Sequence, residues 1–589
     1  MDQTSRHAAA NAVAWGSDRI ADLLRSLNTP YLALTPGSSF RGLHDSLINH
    51  LGNERPEHIL AIHEESAVAI AHGYAKVTGK PLAVALHANL GLMHASMAIF
   101  NAWCDRAPML IFGAVGPMDA ALRRPYVDWL HTATDLAALI RPYIKWDNQP
   151  ASIPAAVEAI IRAQQISRTA PQGPVYICLD QTLQEAETPT RDPLPNMRRF
   201  EAPRSPAPDR ASITEIAQRL SSAKRPLALI GRVSAKRPAW DRRVAFAEAY
   251  GLHVLTDLKV GAKFPTRHPL HAASPGLSPS ADALALIRNA DLILSLDWID
   301  LGGTLYQAFG KPWPEVTVVQ CSLDQYSHNG WSMDHQALPA ADISLLTDPD
   351  RLTELLLAEA EACGISAAPP AGASWAAARP ARSAGEIGIE DLARVVIATL
   401  VEDRPSYLRL PIGWPGALCD FDDPLDYIGY DGAGGIGSGP GMSVGSALGL
   451  RGTDRLPVAV LGDGDFLMGA TAIWSAVHHR IPLLVIVANN RSFFNDELHQ
   501  ERMAKMRGRP VENRGVGIQI DDPAPDLAMI ARGQGCVAFG PVSDIADLSD
   551  TLRNAVKHVR EGRVAFIDAH VRREYGRGIP AQVLRTTDQ

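Results

Sequence analysis

Gly462-Asp463-Gly464 and Asn489-Asn490, separated by residues 465–488, offer a carboxylate and an amide that suit one cation. Val458–Leu461 is a short apolar run, as a buried strand should be. Gly-Asp-Gly then makes a turn tight enough to set the Asp463 carboxylate at the strand's C-terminal edge. A helical stretch, Ala470–Val477, and a second apolar run, Leu483–Ala488, complete a βαβ unit. Parallel strands joined by such a crossover end at one edge of the sheet, so Asp463 and Asn490 can face one ion. All-oxygen ligands with a phosphate partner suit Mg²⁺. The chemistry expected here is that of a divalent metal carrying a diphosphate.

Two further groups belong beside this one. Gly432–Ser438 is a glycine-rich loop entering a helix expected over Met442–Leu450, and it includes Gly434, Ile436 and Gly437. Such a loop permits close backbone approach and places a diphosphate at a helix N-terminus. Near the start of the chain, His63-Glu64-Glu65-Ser66 opens a helix of small residues running through Gly73-Tyr74-Ala75-Lys76.

Strands and helices alternate throughout, which gives α/β architecture with parallel sheets. Expected strands include Tyr31–Leu34, Leu82–Leu86, Met109–Phe112 and Val175–Cys178, then Pro226–Gly231, Leu292–Leu296 and Val316–Gln320. The Pro- and Arg-rich stretch at 188–208 and the Ala- and Pro-rich stretch at 366–386 read as linkers. They leave three consecutive doubly wound parallel-sheet domains, at 1–187, 209–365 and 387–589.

The Gly-Asp-Gly to Asn-Asn interval resembles the signature of thiamine diphosphate (ThDP) enzymes, in the superfamily of acetolactate synthase and benzoylformate decarboxylase. The resemblance covers essentially the whole chain and implies pyrimidine-binding, middle and diphosphate-binding domains. It implies that Gly462, Asp463, Gly464 and Asn490 bind the cofactor's diphosphate and Mg²⁺, with Asp463, Asn490 and the Ser492 carbonyl as metal ligands. It implies that Glu64, partly desolvated, contacts N1′ of the aminopyrimidine and activates C2. Gly434 would accept from the 4′-amino group through its carbonyl, and Ile436 would bend the cofactor. Because the glutamate and metal site of this family meet across a subunit interface, a homodimer or homotetramer is implied.

The first domain resembles benzoylformate decarboxylase most. Thr35-Pro36-Gly37-Ser38 is similar to the loop whose serine meets the substrate carboxylate there, and Leu86-His87-Ala88 to its histidine segment. Thr134–Trp146 and Ala170–Tyr176 track the same enzyme. Ser38 and His87 are therefore expected to hold a 2-keto acid and to move a proton, with His94 and His131 as further candidates. The middle-domain stretch Leu301–Gln307 lacks the histidine found there. After the double Asn, Phe494, Asn495, Glu497 and His499 could form a pocket mouth and supply a replacement acid–base group, although a solvated, salt-bridged helix also fits. Lys505, Arg507, Arg509 and Arg514 follow, as surface charge or as partners of an anionic substrate. Asp465 stands where many relatives have a small polar residue, and a carboxylate there must be turned outward or compensated.

Composition narrows the classes further. The chain has 589 residues, 46% hydrophobic and 20% charged, and its net charge of −8 argues against non-specific nucleic-acid binding. Cys104, Cys178, Cys321, Cys363, Cys419 and Cys536 are scattered, suggesting neither a disulfide framework nor a zinc knuckle. Met1–Ser17 has no apolar core like that of a signal peptide, no run is long enough for a membrane span, and cytoplasm is the expected location. The expected activity is decarboxylation of a small-molecule 2-keto acid, with possible carboligation. The alternatives are an acetolactate-synthase-like carboligase, a 2-hydroxyacyl-CoA lyase, or a non-catalytic ThDP-binding subunit.

Overall fold

The structure, a computed structural model, describes residues 14–188, 193–324, 337–367 and 384–575. Parts of the expected linkers (189–192 and 368–383) and most of the N-terminal stretch (1–13) lie outside the described residues. The chain divides into two compact units, Met1–Arg204 and Ser205–Gln589.

In the first unit six strands form a parallel sheet. They are β1 (Tyr31–Leu34), β2 (Glu57–Leu60), β3 (Leu82–Leu86), β4 (Met109–Val115), β5 (Asp147–Asn148) and β6 (Pro174–Asp180), in the order β2-β1-β3-β4-β6-β5. β3, β4 and β6 are buried along their whole length. Their unbroken apolar runs are what a parallel sheet covered on both faces demands. Two helices follow strand tips at the sheet's C-terminal edge: α1 (Glu64–Thr78) after β2 and α2 (Ala88–Cys104) after β3. Both are rich in Ala and Gly, so they pack closely side by side.

The second unit holds two parallel sheets. One contains β7 (Pro226–Ile230), β8 (His253–Thr256), β9 (Leu292–Leu296), β10 (Thr317–Cys321) and β11 (Ile343–Leu345), ordered β11-β10-β9-β7-β8. Its helix α3 (Leu301–Phe309) follows β9. The other contains β12 (Pro405–Arg409), β13 (Leu456–Gly462), β14 (Leu483–Asn489), β15 (Val537–Val542) and β16 (Val564–His570), ordered β12-β13-β14-β16-β15. Around it lie α4 (Gly439–Gly449), α5 (Asp463–Gly469) and α6 (Phe494–Met506). One apolar core joins Trp240, Leu258 and Ala262 of the first part to Leu410, Trp414 and Tyr427 of the second. The Tyr427 hydroxyl donates to the Leu258 carbonyl at 2.9 Å within that core. The fold is thus three parallel-sheet α/β domains. Among the described residues no helix is long and apolar enough to cross a membrane.

Several strands extend or shift by one to three residues from their expected bounds, and two helices depart further. The expected helix Ala470–Val477 is preceded by a separate one, α5, and Asp463 opens α5 instead of sitting in a turn. The break between them follows Gly469, where an added Cβ would lie 2.1 Å from the Gly437 carbonyl oxygen. α4 starts at Gly439, three residues before the expected Met442. Pro440 sits in its first turn, where a missing N–H costs nothing, although Gly-Pro-Gly reads as a turn by propensity alone.

His271 is buried beside β8, hydrogen-bonded to Thr256 Oγ1 at 2.9 Å through Nε2. Burial pushes its pKa down from 6.5 to about 3. A histidine held neutral in the fold contributes stability that is full above its unfolded pKa and is lost as pH falls toward the folded value. Between pH 7 and pH 5 this group alone should lower the unfolding free energy of the second unit by about 2 kcal/mol. Urea unfolding at the two pH values should show that loss, and His271→Gln should remove it.

Candidate active site

β13 and β14 are neighbours in register, with Gly462 opposite Ala488, so residues 463 and 489–490 leave the sheet side by side. Asp463 Oδ1 accepts from the Gly464 N–H at 2.8 Å. Its Oδ2 and the Asn490 Oδ1 both accept from the Ser492 N–H, at 3.2 and 2.9 Å. The structure therefore brings a carboxylate oxygen and an amide oxygen together at one point. Asp463 is buried, burial raises its pKa, and among the described residues it has no ion-pair partner. A buried carboxylate without a counter-charge is costly, and a cation relieves that cost. The donor set is oxygen throughout, and it fits Mg²⁺.

The two asparagines do different work. Asn489 Nδ2 donates to Asp568 Oδ1 at 2.9 Å, which fastens the tip of β14 to β16, while Asn490 turns to Asp463. The segment after them is clamped from behind. Ile520 N donates to the Arg491 carbonyl at 2.9 Å and Phe493 N to the Ile518 carbonyl at 3.2 Å. Ser492 Oγ donates to Glu497 Oε1 at 2.5 Å, and Gln519 Nε2 donates to the same oxygen at 3.1 Å. This corrects the expectation for Glu497. It is 1% exposed and tied to Ser492, so it fixes the segment after Asn490 and does not sit at a pocket mouth. Phe494 is likewise buried, packed edge-on against Tyr575. Asn495 is half-buried and His499 is exposed. Of the four cations that follow, Lys505 and Arg514 pair with Glu501.

The glycine-rich loop is held by Asp465. Its Oδ1 accepts from the N–H groups of Gly437 and Gly439 at 2.7 and 3.2 Å. Gly437 has φ +100°, which a side chain would strain. Asp465 is buried, and Arg409 compensates it at 3.5 Å while pairing with Asp431 at 2.9 Å. The guanidinium lies over the Tyr430 ring, 3.6 Å from its centroid. Of the alternatives open to a carboxylate at 465, compensation is the one adopted. In this loop Gly434 is exposed and Ile436 half-buried.

The first unit gathers a second set of groups. Glu64 is the first residue of α1, capped by His63, whose ring nitrogen Nδ1 accepts from the Glu65 N–H at 3.3 Å. Glu64 is 8% exposed, and its Oε2 lies 3.0 Å from His94 Nδ1 on α2. Gly91 makes room for it, since a Cβ there would lie 3.0 Å from Glu64 Cγ. His87 ends the β3-to-α2 connection, and the next residue, Ala88, is forced to φ +46°. Strain of this kind, in a non-glycine residue, marks a position that the surroundings over-determine. His87 Nδ1 is bonded to Ser39 Oγ at 2.8 Å and meets the His131 ring edge-on at 5.0 Å. Burial, then the neighbouring His131, lowers its pKa, so the ring is neutral near pH 7.

Ser38, the expected substrate serine, is exposed, and it is its buried neighbour Ser39 that engages His87. Ser39, Gly91 and His63 were not singled out from sequence. A signal existed for one of them: Gly91 and His94 are spaced i, i+3 on α2, just past its cap at His87.

Residues 14–138, 213–330 and 412–569 match, in turn, the N-terminal TPP binding, central and C-terminal TPP binding domains of thiamine pyrophosphate enzymes. The acetolactate synthase large subunit of Corynebacterium glutamicum is 24% identical over 551 residues, covering 89% of this chain and 82% of that protein. Benzoylformate decarboxylase of Pseudomonas aeruginosa is 26% identical over 528 residues, covering 85% and 89%. Among solved structures, benzoylformate decarboxylase from Polynucleobacter necessarius aligns with a TM-score of 0.76 at 22% identity, over 95% of this chain and 99% of that one. At that identity the likeness speaks for the fold.

A Cβ at Gly464 would lie 2.5 Å from the Phe493 ring. Gly464→Ala should therefore displace Phe493 and the segment after Asn490, at an overpacking cost near 1–3 kcal/mol, and weaken ThDP affinity in Mg²⁺ about tenfold. Gly464→Ala combined with Phe493→Ala should restore most of it. Quenching of intrinsic fluorescence by ThDP reads both.

Proposed function

We propose that this chain, which belongs to the thiamine pyrophosphate enzymes through all three of their domains, is a lyase acting on a small 2-keto acid, using ThDP and Mg²⁺. The observation that carries the reading is the convergence of Asp463 Oδ2 and Asn490 Oδ1 on one N–H beside a buried, uncompensated charge. In this reading Asp463, Asn490 and the Ser492 carbonyl hold the metal. Gly462, Gly464 and Gly437 let the backbone approach the diphosphate. The Gly434 carbonyl and the Ile436 side chain orient the aminopyrimidine. When bound, ThDP supplies the nucleophilic carbon and the electron sink for breaking a bond next to a carbonyl.

The proton work falls to the first unit. Glu64 presents one carboxylate oxygen to His94 and keeps the other for a proton passed to the cofactor ring. His87, neutral and oriented by Ser39, can accept or return a proton at Nε2. Its depressed pKa means that this capacity is present near neutrality and fades as pH falls below the ordinary imidazole range. Ser38, exposed on the neighbouring turn, is placed in this reading to meet a substrate carboxylate. Self-association into a dimer or tetramer, and a cytoplasmic location, belong to the same proposal. α3 favours the alternative of a carboligase or 2-hydroxyacyl-CoA lyase. It carries Tyr306 and Gln307, not a histidine, and borders an open cavity of about 650 Å³ lined also by Lys259 and Trp313.

The test is CO₂ release from aliphatic and aromatic 2-keto acids, by protein reconstituted with ThDP and Mg²⁺, with and without an acceptor aldehyde. Release without acceptor supports the decarboxylase. Release only with acceptor transfers the assignment to a carboligase, and release in neither condition overturns the 2-keto acid. Glu64→Gln should keep ThDP binding and lower turnover by about 100-fold or more. Equal turnover in the variant would remove Glu64 from catalysis.

A further inference from the structure

We propose that His63, Glu64 and His94 form a second cation site, which takes a borderline transition-metal ion such as Zn²⁺ and not Mg²⁺. One ligand atom from each of the three lies within 4.8 Å of the others. Donors bound to a tetrahedral zinc ion stand about 3.4 Å apart, so closure onto an ion needs side-chain adjustment. His63 must also release the Glu65 N–H, because a neutral ring that accepts at Nδ1 carries its proton on Nε2. The three come from well-fixed backbone. His63 caps α1, Glu64 is its first residue, and His94 stands on α2 packed against it. The two imidazoles already lie side by side, with ring centroids 4.9 Å apart at 22°, and one of them touches the carboxylate at 3.0 Å.

Donor chemistry sets the ion. Two nitrogens and one carboxylate oxygen suit Zn²⁺, Co²⁺ or Ni²⁺. The cradle at Asp463 and Asn490 offers only oxygen and suits Mg²⁺. The two units thus offer donor sets of different hardness, and the imidazole nitrogens of His63 and His94 disfavour Mg²⁺. The site is open to solvent through His94, whose side chain is 55% exposed. An ion there needs only one further ligand, and water can supply it.

Occupancy has a consequence that rests on the proposed function. The carboxylate that coordinates the ion is the one assigned the proton transfer, so a bound ion silences Glu64. Zn²⁺ in the presence of saturating Mg²⁺ should inhibit turnover, and a chelator selective for Zn²⁺ should reverse it.

The deciding experiment is a Co²⁺ titration of ThDP-free protein in excess Mg²⁺, read by visible absorption and by equilibrium dialysis. Wild type should bind one equivalent of Co²⁺, with the absorption of a nitrogen-ligated ion, and Zn²⁺ should displace it. At the concentration that saturates wild type, His94→Asn should bind none. His63→Gln, at a helix cap outside the strained loop, serves as the second variant, with circular dichroism to establish that each folds. Asp463→Asn should bind Co²⁺ like wild type. No Co²⁺ bound in excess Mg²⁺, or binding unchanged in both histidine variants, overturns the site. If Co²⁺ binds as expected while Glu64→Gln retains full turnover, the site stands and the catalytic reading of Glu64 falls.

Discussion

Placing a carboxylate at the tip of a buried parallel strand removes it from water without giving it a partner. Asp463 is in that position, held by backbone N–H groups that include those of Gly464 and Ser492, with no lysine or arginine ion pair among the described residues. Burial of such a group makes its charged form costly, and a cation offsets that cost. Much of the surrounding structure follows from that demand. Asn490 adds the second oxygen, Asn489 locks the strand tip to Asp568, and Glu497 fixes the serine whose N–H both oxygens share. In the second unit these bonds fix the tips of two neighbouring strands around the Asp463 carboxylate.

A second buried carboxylate, two residues on, is treated in the opposite way. Asp465 is compensated by Arg409, itself paired with Asp431 and stacked on Tyr430. Its oxygen collects the N–H groups of the glycine-rich loop. The loop is thus held in place by a protein charge. In the first unit the equivalent fixing agent is steric. Gly91 sits against Glu64, Gly37 against His87, and Ala88 bears an unfavourable φ where β3 turns into α2.

The sheets were legible because fully buried parallel strands leave near-continuous apolar runs. Leu82–Leu86 and Leu292–Leu296 have the same bounds in sequence and structure, and Leu483–Ala488 lengthens by one residue. The pairing of Asp463 with Asn490 was legible for a related reason, since both stand at strand tips and topology alone brings them together. Side-chain direction was not legible. Ser38 and Ser39 are adjacent, and only the backbone of a short 3₁₀ turn decides which of them reaches His87. Glu497 lies on a polar helix that reads as solvated, yet long-range partners at Ser492 and Gln519 draw it inside. His63 and His94 are far apart in the chain and meet only because α1 and α2 are made of residues small enough to pack closely.

The most direct measurement is calorimetric titration of ThDP into wild type and Asp463→Asn, each with and without Mg²⁺, alongside the thermal midpoints of the cofactor-free proteins. Wild type should bind ThDP only with the metal, and Asp463→Asn in neither condition. The midpoint of the cofactor-free variant should also be higher, because an uncompensated buried charge is gone. Mg²⁺-dependent binding of equal affinity in the variant would contradict the assignment of Asp463 as the residue that holds the metal.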